Sequence, residues 1–158
     1  MLRILAVGRM KAGPERELFD RYWQRAVPMA KQLGFGALDV VELRESQAQN
    51  ADQRKAAEAA ELLVKVPDGA AVVALDERGK AITTRDFSDK LENFRDAGRD
   101  VCLVIGGPDG LDAQVRQRAD LVISFGAMTM PHQLVRVLAA EQTYRVMTVL
   151  SGHPYHRV

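Results

Sequence analysis

Four short stretches of this chain are almost uninterrupted by polar residues: Leu2–Val7, Ala70–Leu75, Val101–Ile105 and Leu121–Ile123. A strand with one face in water alternates apolar and polar residues. A short continuous apolar run instead fits a strand covered on both faces. Leu38–Leu43 is a fifth candidate, and Asp39 and Glu42 give it the character of an edge. Helical patterns separate these runs. Pro14 after Gly13 suits a first helical position, with Leu18, Tyr22 and Ala26 repeating at intervals of four. Asn50 is placed to cap a helix through Ala56, Ala60 and Leu63, and Thr83 to Asp86 has the form of a capping box before Phe87, Leu91 and Phe94. Gly98 then stops that helix. Strands alternating with helices of this length predict an α/β fold: an open, largely parallel sheet flanked by helices. No repeat or linker divides residues 1–158, which read as a single domain.

In such sheets ligands bind beyond the carboxyl ends of the strands. Three of those ends are distinctive: Leu75-Asp76 with Gly79 following, Ile105-Gly-Gly-Pro-Asp-Gly110, and Ser124 through Pro131 after Ile123. They are expected to meet on one rim of the sheet. Three glycines in five residues after a buried strand is more than a turn needs, and it suggests a loop that lines a ligand. The spacing is not that of a dinucleotide fingerprint, and no phosphate-binding G-x-x-x-x-G-K-[ST] loop occurs. Asp76 and Glu77 can serve as acids or bases there, or can simply cap a turn.

The last 28 residues, 131–158, hold all three histidines. A run from Pro131 is apolar on nearly every face, which predicts a helix buried in the core or between subunits. Within it Arg136, Glu141 and Arg145 either pair with one another or reach a ligand or partner chain. Gly152 is a suitable helix stop, so that His153-Pro-Tyr-His-Arg157 can fold back over the core. Tyr155 can stack on a base, and Arg157 can pair with phosphate or polarise a carbonyl. Two imidazoles are too few for a metal site without cysteine or a carboxylate pair, and Pro154 works against their alignment; no metal is expected.

The net charge of +1 hides a gradient: residues 1–35 carry seven Lys/Arg against three Asp/Glu, and 36–70 carry four against seven. Basic ends either are ordinary solvated surface or form patches that meet a polyanion. The lone Cys102, inside an apolar run, reads as an inert buried thiol. The opening apolar run is too short for a signal peptide, and no run approaches a membrane span, so a cytosolic protein is expected.

Together, Ile105 to Leu111, Ser124 to Arg136, Glu141-Gln-Thr-Tyr-Arg145 and His153-Pro-Tyr-His-Arg157 resemble the RlmH family over the whole chain. These are bacterial SPOUT-class methyltransferases acting on N3 of a pseudouridine in 23S rRNA. The resemblance implies a C-terminal trefoil knot, which no general folding rule would have proposed. It also implies a homodimer, S-adenosylmethionine as cofactor, and the assembled 70S ribosome as substrate. Carried over by position, the cofactor would meet Leu75, Gly107 and the loop Gly126, Ala127, Met128, Thr129, Met130 and Pro131. Tyr155 and Arg157 would hold the nucleotide's carbonyls or adjacent phosphate, with His153 assisting deprotonation. A basic N-terminal patch including Arg9, Lys11 and Arg16 would grip RNA. The alternative is a non-catalytic RNA-binding module of the ribosome with the same fold.

Overall fold

Each apolar run becomes a strand in the structure, a computed structural model that describes residues 1–157; all but Leu121–Ile123, which is half-buried, are almost wholly buried. The elements alternate as the sequence predicts: β1 (Leu2–Val7), α1 (Pro14–Gln32), β2 (Leu38–Leu43), α2 (Ala51–Val64), β3 (Ala71–Lys80), α3 (Thr84–Asp96), β4 (Val101–Ile105), α4 (Ala113–Arg118), β5 (Leu121–Ile123) and α5 (His132–Ser151). The five strands lie in the order β2-β1-β4-β3-β5, and every pair is parallel. Leu38–Leu43 is the edge strand its polar residues suggested.

Both faces of the sheet are covered, which is why the runs lack polar alternation. One side packs Leu2, Ile4, Val73, Val101, Leu103 and Ile123 beneath α1, α3 and α5, through Trp23, Leu91, Val137 and Met147. The other packs Leu5, Val7, Val72, Ala74 and Val104 against α2 and α4, through Ala59, Leu62 and Val115. Cys102 lies in this second layer, fully buried, and desolvation pushes its thiol up to about 11, the state of an inert sulfur.

The helix starts follow their local chemistry. Asn50 accepts from the Gln53 amide, and Thr83 and Asp86 form a reciprocal capping box. Such caps are worth about 1 kcal/mol each. Gly152 ends α5 in the left-handed conformation, at φ 72°.

The structure adds detail to three elements and corrects the extent of one, β3. In α2 the core face carries Glu58, Ala59 and Leu62, whereas Ala56 and Ala60 are exposed. Alanine favours helix wherever it sits, so these alanines mark the helix and not its buried face. Strand β3 starts at Ala71 and does not end at Leu75. It bulges through Asp76–Gly79 and pairs again through Lys80 opposite Ile123. Gly79 permits this, since a Cβ there would come within 2.6 Å of the Ile123 carbonyl carbon. On helix α5, Leu134 and Leu138, one turn apart, are exposed in the single chain.

No helix among the described residues is long and apolar enough to cross a membrane.

Candidate functional site

The ends of β3, β4 and β5 enclose a cavity of about 540 Å³. Its walls come from the β3 bulge (Leu75–Arg78), the loop from Ile105 to Leu111, and the segment from Ile123 into the first turn of α5. Of the cofactor positions read from the sequence, Leu75, Gly107, Gly126, Met128, Thr129, Met130 and Pro131 line this one cavity. Ala127 is the exception: it is exposed and lies outside the lining. The cofactor positions that meet here are up to 56 residues apart, counting from Leu75 to Pro131.

Glycine shapes it at two points. A Cβ on Gly106 would sit 2.7 Å from the Gly110 backbone, so the loop can close on itself only without one. A Cβ on Gly107 would meet Val7 at 3.0 Å, which leaves the Gly107 backbone bare toward the cavity. On the opposite lip, Ser124 closes a tight turn with its Oγ accepting from the Gly126 amide, and the Met128 side chain beyond it is 83% exposed.

Two ion pairs brace these loops from the α2 and α4 side. Arg54 donates to both carboxylate oxygens of Asp109, at 2.7 and 3.0 Å, and this pairing holds the Asp109 carboxyl below the usual range. Arg116 donates to Asp76 and to the Leu111 carbonyl, so it ties the β3 bulge to the glycine loop. Asp76 also accepts from the Arg78 amide. Of the two roles the sequence left open to Asp76, the structure shows the turn-capping one. Glu58 lies under the same loop, almost wholly buried: Oε1 accepts from the Ser46 amide, Oε2 has no partner, and desolvation raises its pKa. Sequence reading did not single out Arg54, Glu58 or Arg116. Nothing local marks them, because their partners arrive from elsewhere in the fold.

Helix α5 crosses back over the sheet to β1. Arg136, 1% exposed, donates to Glu42 and to the carbonyls of Val7 and Gly8. Glu42 also accepts from the Met10 amide, so one carboxylate joins α5, β2 and the loop after β1. Burial pulls the Arg136 pKa below its usual value despite this partner. Arg145 pairs with Glu141 one turn away. Both arginines thus find glutamates, though Arg136 finds one 94 residues distant in the chain. The loop after Gly8 presents Arg9 and Lys11 to solvent, and Arg16, also exposed, pairs with Asp20.

The tail folds back, as Gly152 suggested, but over α5 and not into its own cavity. The Tyr155 ring stands 4.6 Å from that of Tyr144, and the Arg145 guanidinium lies 4.9 Å from its centre. Its hydroxyl donates to Glu141 at 3.0 Å. His153 and Arg157 are exposed, and none of His153, Tyr155 or Arg157 lines the cavity of its own chain. Desolvation, with the Glu141 hydrogen bond second, pushes the Tyr155 phenol up to about 12. A pKa raised on folding means stability that is complete below the unfolded value near 10.0 and is lost as pH climbs toward 12. Alkaline titration of tyrosinate absorbance should therefore show a late-ionising tyrosine, absent in Tyr155→Phe. An unchanged curve in that variant would show that the tail does not dock.

Comparison with known proteins agrees with this architecture. A family model described as "Predicted SPOUT methyltransferase" matches residues 1–156. The ribosomal RNA large subunit methyltransferase H of Methylobacterium radiotolerans is 54% identical over 158 residues, spanning 99% of this chain and 96% of that protein. Its namesake from Chelativorans sp. strain BNC1 is 54% identical over 98% of this chain and 89% of its own. Among solved structures, a probable methyltransferase from Bordetella pertussis Tohama I superposes with a TM-score of 0.50 at 16% identity, covering 92% of this chain and 93% of that one; this likeness concerns fold alone. The match across nearly the full length places the chain in the SPOUT methyltransferases and, among them, in the ribosomal RNA large subunit methyltransferase H family.

Proposed function

We propose that this protein transfers the methyl group of S-adenosylmethionine to N3 of a pseudouridine in 23S rRNA, acting in the cytoplasm on the assembled 70S ribosome. In this reading residues 1–158 form a single SPOUT-like domain with a C-terminal trefoil knot, and two copies form a homodimer. The observation that carries the reading is the single cavity built by three strand ends, in a chain whose curated relatives are named as large-subunit rRNA methyltransferases.

The cavity fits the cofactor in size and chemistry. Its volume falls within the range of about 300–1,000 Å³ usual for small-molecule sites, and Leu75, Ile105, Leu111, Ile123 and Val135 give it apolar walls. Gly107 and Gly126, which carry no side chain, let a base or an amino acid moiety approach the backbone closely. Bound there, S-adenosylmethionine supplies an electrophilic methyl group on a sulfonium. The protein's part is then to align a ring nitrogen with that methyl and to stabilise charge as the nitrogen loses its proton.

The knot is supported by the path of the chain. After β5, at one edge of the sheet, it runs through the cavity wall and returns until Arg136 reaches β1, on the far side of β3 and β4. The dimer is supported by Leu134 and Leu138, which present an apolar strip on α5. It also gives the tail a site: Tyr155, Arg157 and His153, absent from their own cavity, contact the nucleotide at the partner's. Calorimetric titration with S-adenosylmethionine and with its demethylated product tests the reading, together with mass spectrometry of rRNA from cells lacking the gene. A protein that binds neither compound would be an RNA-binding module instead.

The exposed loop after β1, with Arg16, is the RNA-gripping surface in this scheme. Charge reversal at Arg9 and Lys11 should weaken RNA binding and lower the salt slope by roughly 0.7–0.9 for each phosphate that is no longer neutralised. Binding titrations across a salt series measure this, and an unaltered slope would remove the loop from the interface.

A further inference from the structure

We infer that His132 accepts the proton from the ring nitrogen that is methylated, an assignment that rests on the reaction proposed above. A nitrogen flanked by two carbonyls carries a proton, and its electron pair is not free to attack until that proton leaves. Some group beside the cofactor cavity must receive it.

The structure narrows the choice. Among the described residues the acid–base groups lining the cavity are Lys55, Asp76, Glu77, Arg78, Asp109 and His132. Asp76 and Asp109 are held in ion pairs by Arg116 and Arg54. Lys55 stands beside Asp52, and Arg78 has no basic form at neutral pH. Glu77 and His132 are left from the chain's own lining, with the tail's His153 as the further candidate that the proposed dimer would bring to the cavity. Glu77 sits on the β3 bulge, away from the basic loop. His132 is the first residue of α5 and one of the residues that line the cavity. Its ring lies near Gly8, where the basic loop begins: a Cβ on Gly8 would lie 3.8 Å from His132 Nε2, 3.9 Å from Arg136 Nη2 and 3.2 Å from Glu45 Oε1. The imidazole therefore spans the border between the cavity and the loop carrying Arg9 and Lys11. A nucleotide gripped by its phosphates at that loop, with its base turned toward the methyl donor, must pass this border.

The charged groups around the ring are few. Glu45 comes from the segment after β2, Arg136 from its own helix with Glu42 of β2 bound to it, and Arg9 adjoins Gly8 in the chain. Imidazole is the side chain suited to taking up a proton near neutrality. In the step, the N3–H bond breaks and its proton passes to the imidazole. The electron pair left on N3 forms the new N–CH3 bond. The S–CH3 bond breaks with its pair moving onto sulfur, so the sulfonium becomes a neutral thioether. The imidazolium then returns the proton to solvent.

The test is single-turnover methyl transfer to 70S ribosomes from cells lacking the gene, followed across a pH series. The wild-type rate should rise with a slope of about one along an acid limb and then level. His132→Asn should lower the plateau roughly 10²–10⁴-fold and replace the limb with a rate that climbs as hydroxide takes over, while calorimetric binding of S-adenosylmethionine stays measurable. Added imidazole should restore part of the rate in His132→Gly, which a purely structural role would not allow. Retention of the acid limb in His132→Asn would overturn the assignment, as would its loss in His153→Asn or Glu77→Gln instead. A wild-type protein that binds cofactor but methylates no ring nitrogen would bring down the proposed reaction itself, and this assignment with it.

Discussion

Glu42→Ala should destabilise the protein by about 3–5 kcal/mol, a large share of the roughly 5–15 kcal/mol that holds a domain folded. The reason is an asymmetry between partners. The Arg136 side chain is 2% exposed and that of Glu42 25%. Removing the carboxylate leaves a guanidinium stranded away from water, with two carbonyls but no countercharge. Its Nε already lacks a hydrogen-bond partner. Removing the cation costs less, because Glu42 keeps the Met10 amide and is open enough to hydrate. Arg136→Met should therefore cost clearly less than Glu42→Ala, and the double variant should recover part of the loss. Urea denaturation of the three proteins decides the matter. Equal costs for the two single changes would mean that the pair is not buried as one unit.

Truncation after Ser151 is the second change with a large expected effect. It should abolish methyl transfer while leaving cofactor binding measurable, because Tyr155, Arg157 and His153 go while every wall of the cavity stays. The helix should survive, since Gly152 caps its end but the packing of Val137, Tyr144 and Met147 lies upstream. The fold gives up the packing of Tyr155 on Tyr144 and Arg145, its hydrogen bond to Glu141, and the bonds from the Gly152 and His153 amides to the Val149 and Thr148 carbonyls. Activity on ribosomes and calorimetry on the same sample separate the two functions. Full activity of the truncated protein would remove the tail from catalysis.

These expectations draw unequally on sequence and structure. The strands were legible because continuous apolar runs have one favourable environment, a sheet covered on both faces. Asn50, Thr83 and Gly152 were legible because capping is settled within a few residues. The glycine loop and the segment from Gly126 to Pro131 were marked by composition, and all of their predicted cofactor positions but Ala127 reached the cavity. Helix α4, only six residues long, left no readable pattern. The buried face of α2, Glu58, Ala59 and Leu62, was not legible, because alanine content reports helix formation and not burial.

By itself, the sequence determined the types and order of every element but α4, and the family whose motifs it carries, since each depends on residues close together in the chain. The tertiary structure alone decided that β1 lies between β2 and β4, that β3 bulges back to Lys80, and that Arg136 answers to Glu42. It also decided that the tail rests on α5 and that His132 stands between cavity and basic loop. Each of these joins groups brought together only when the sheet assembles, and a side chain's partner across such a distance is chosen by packing, which local composition does not record.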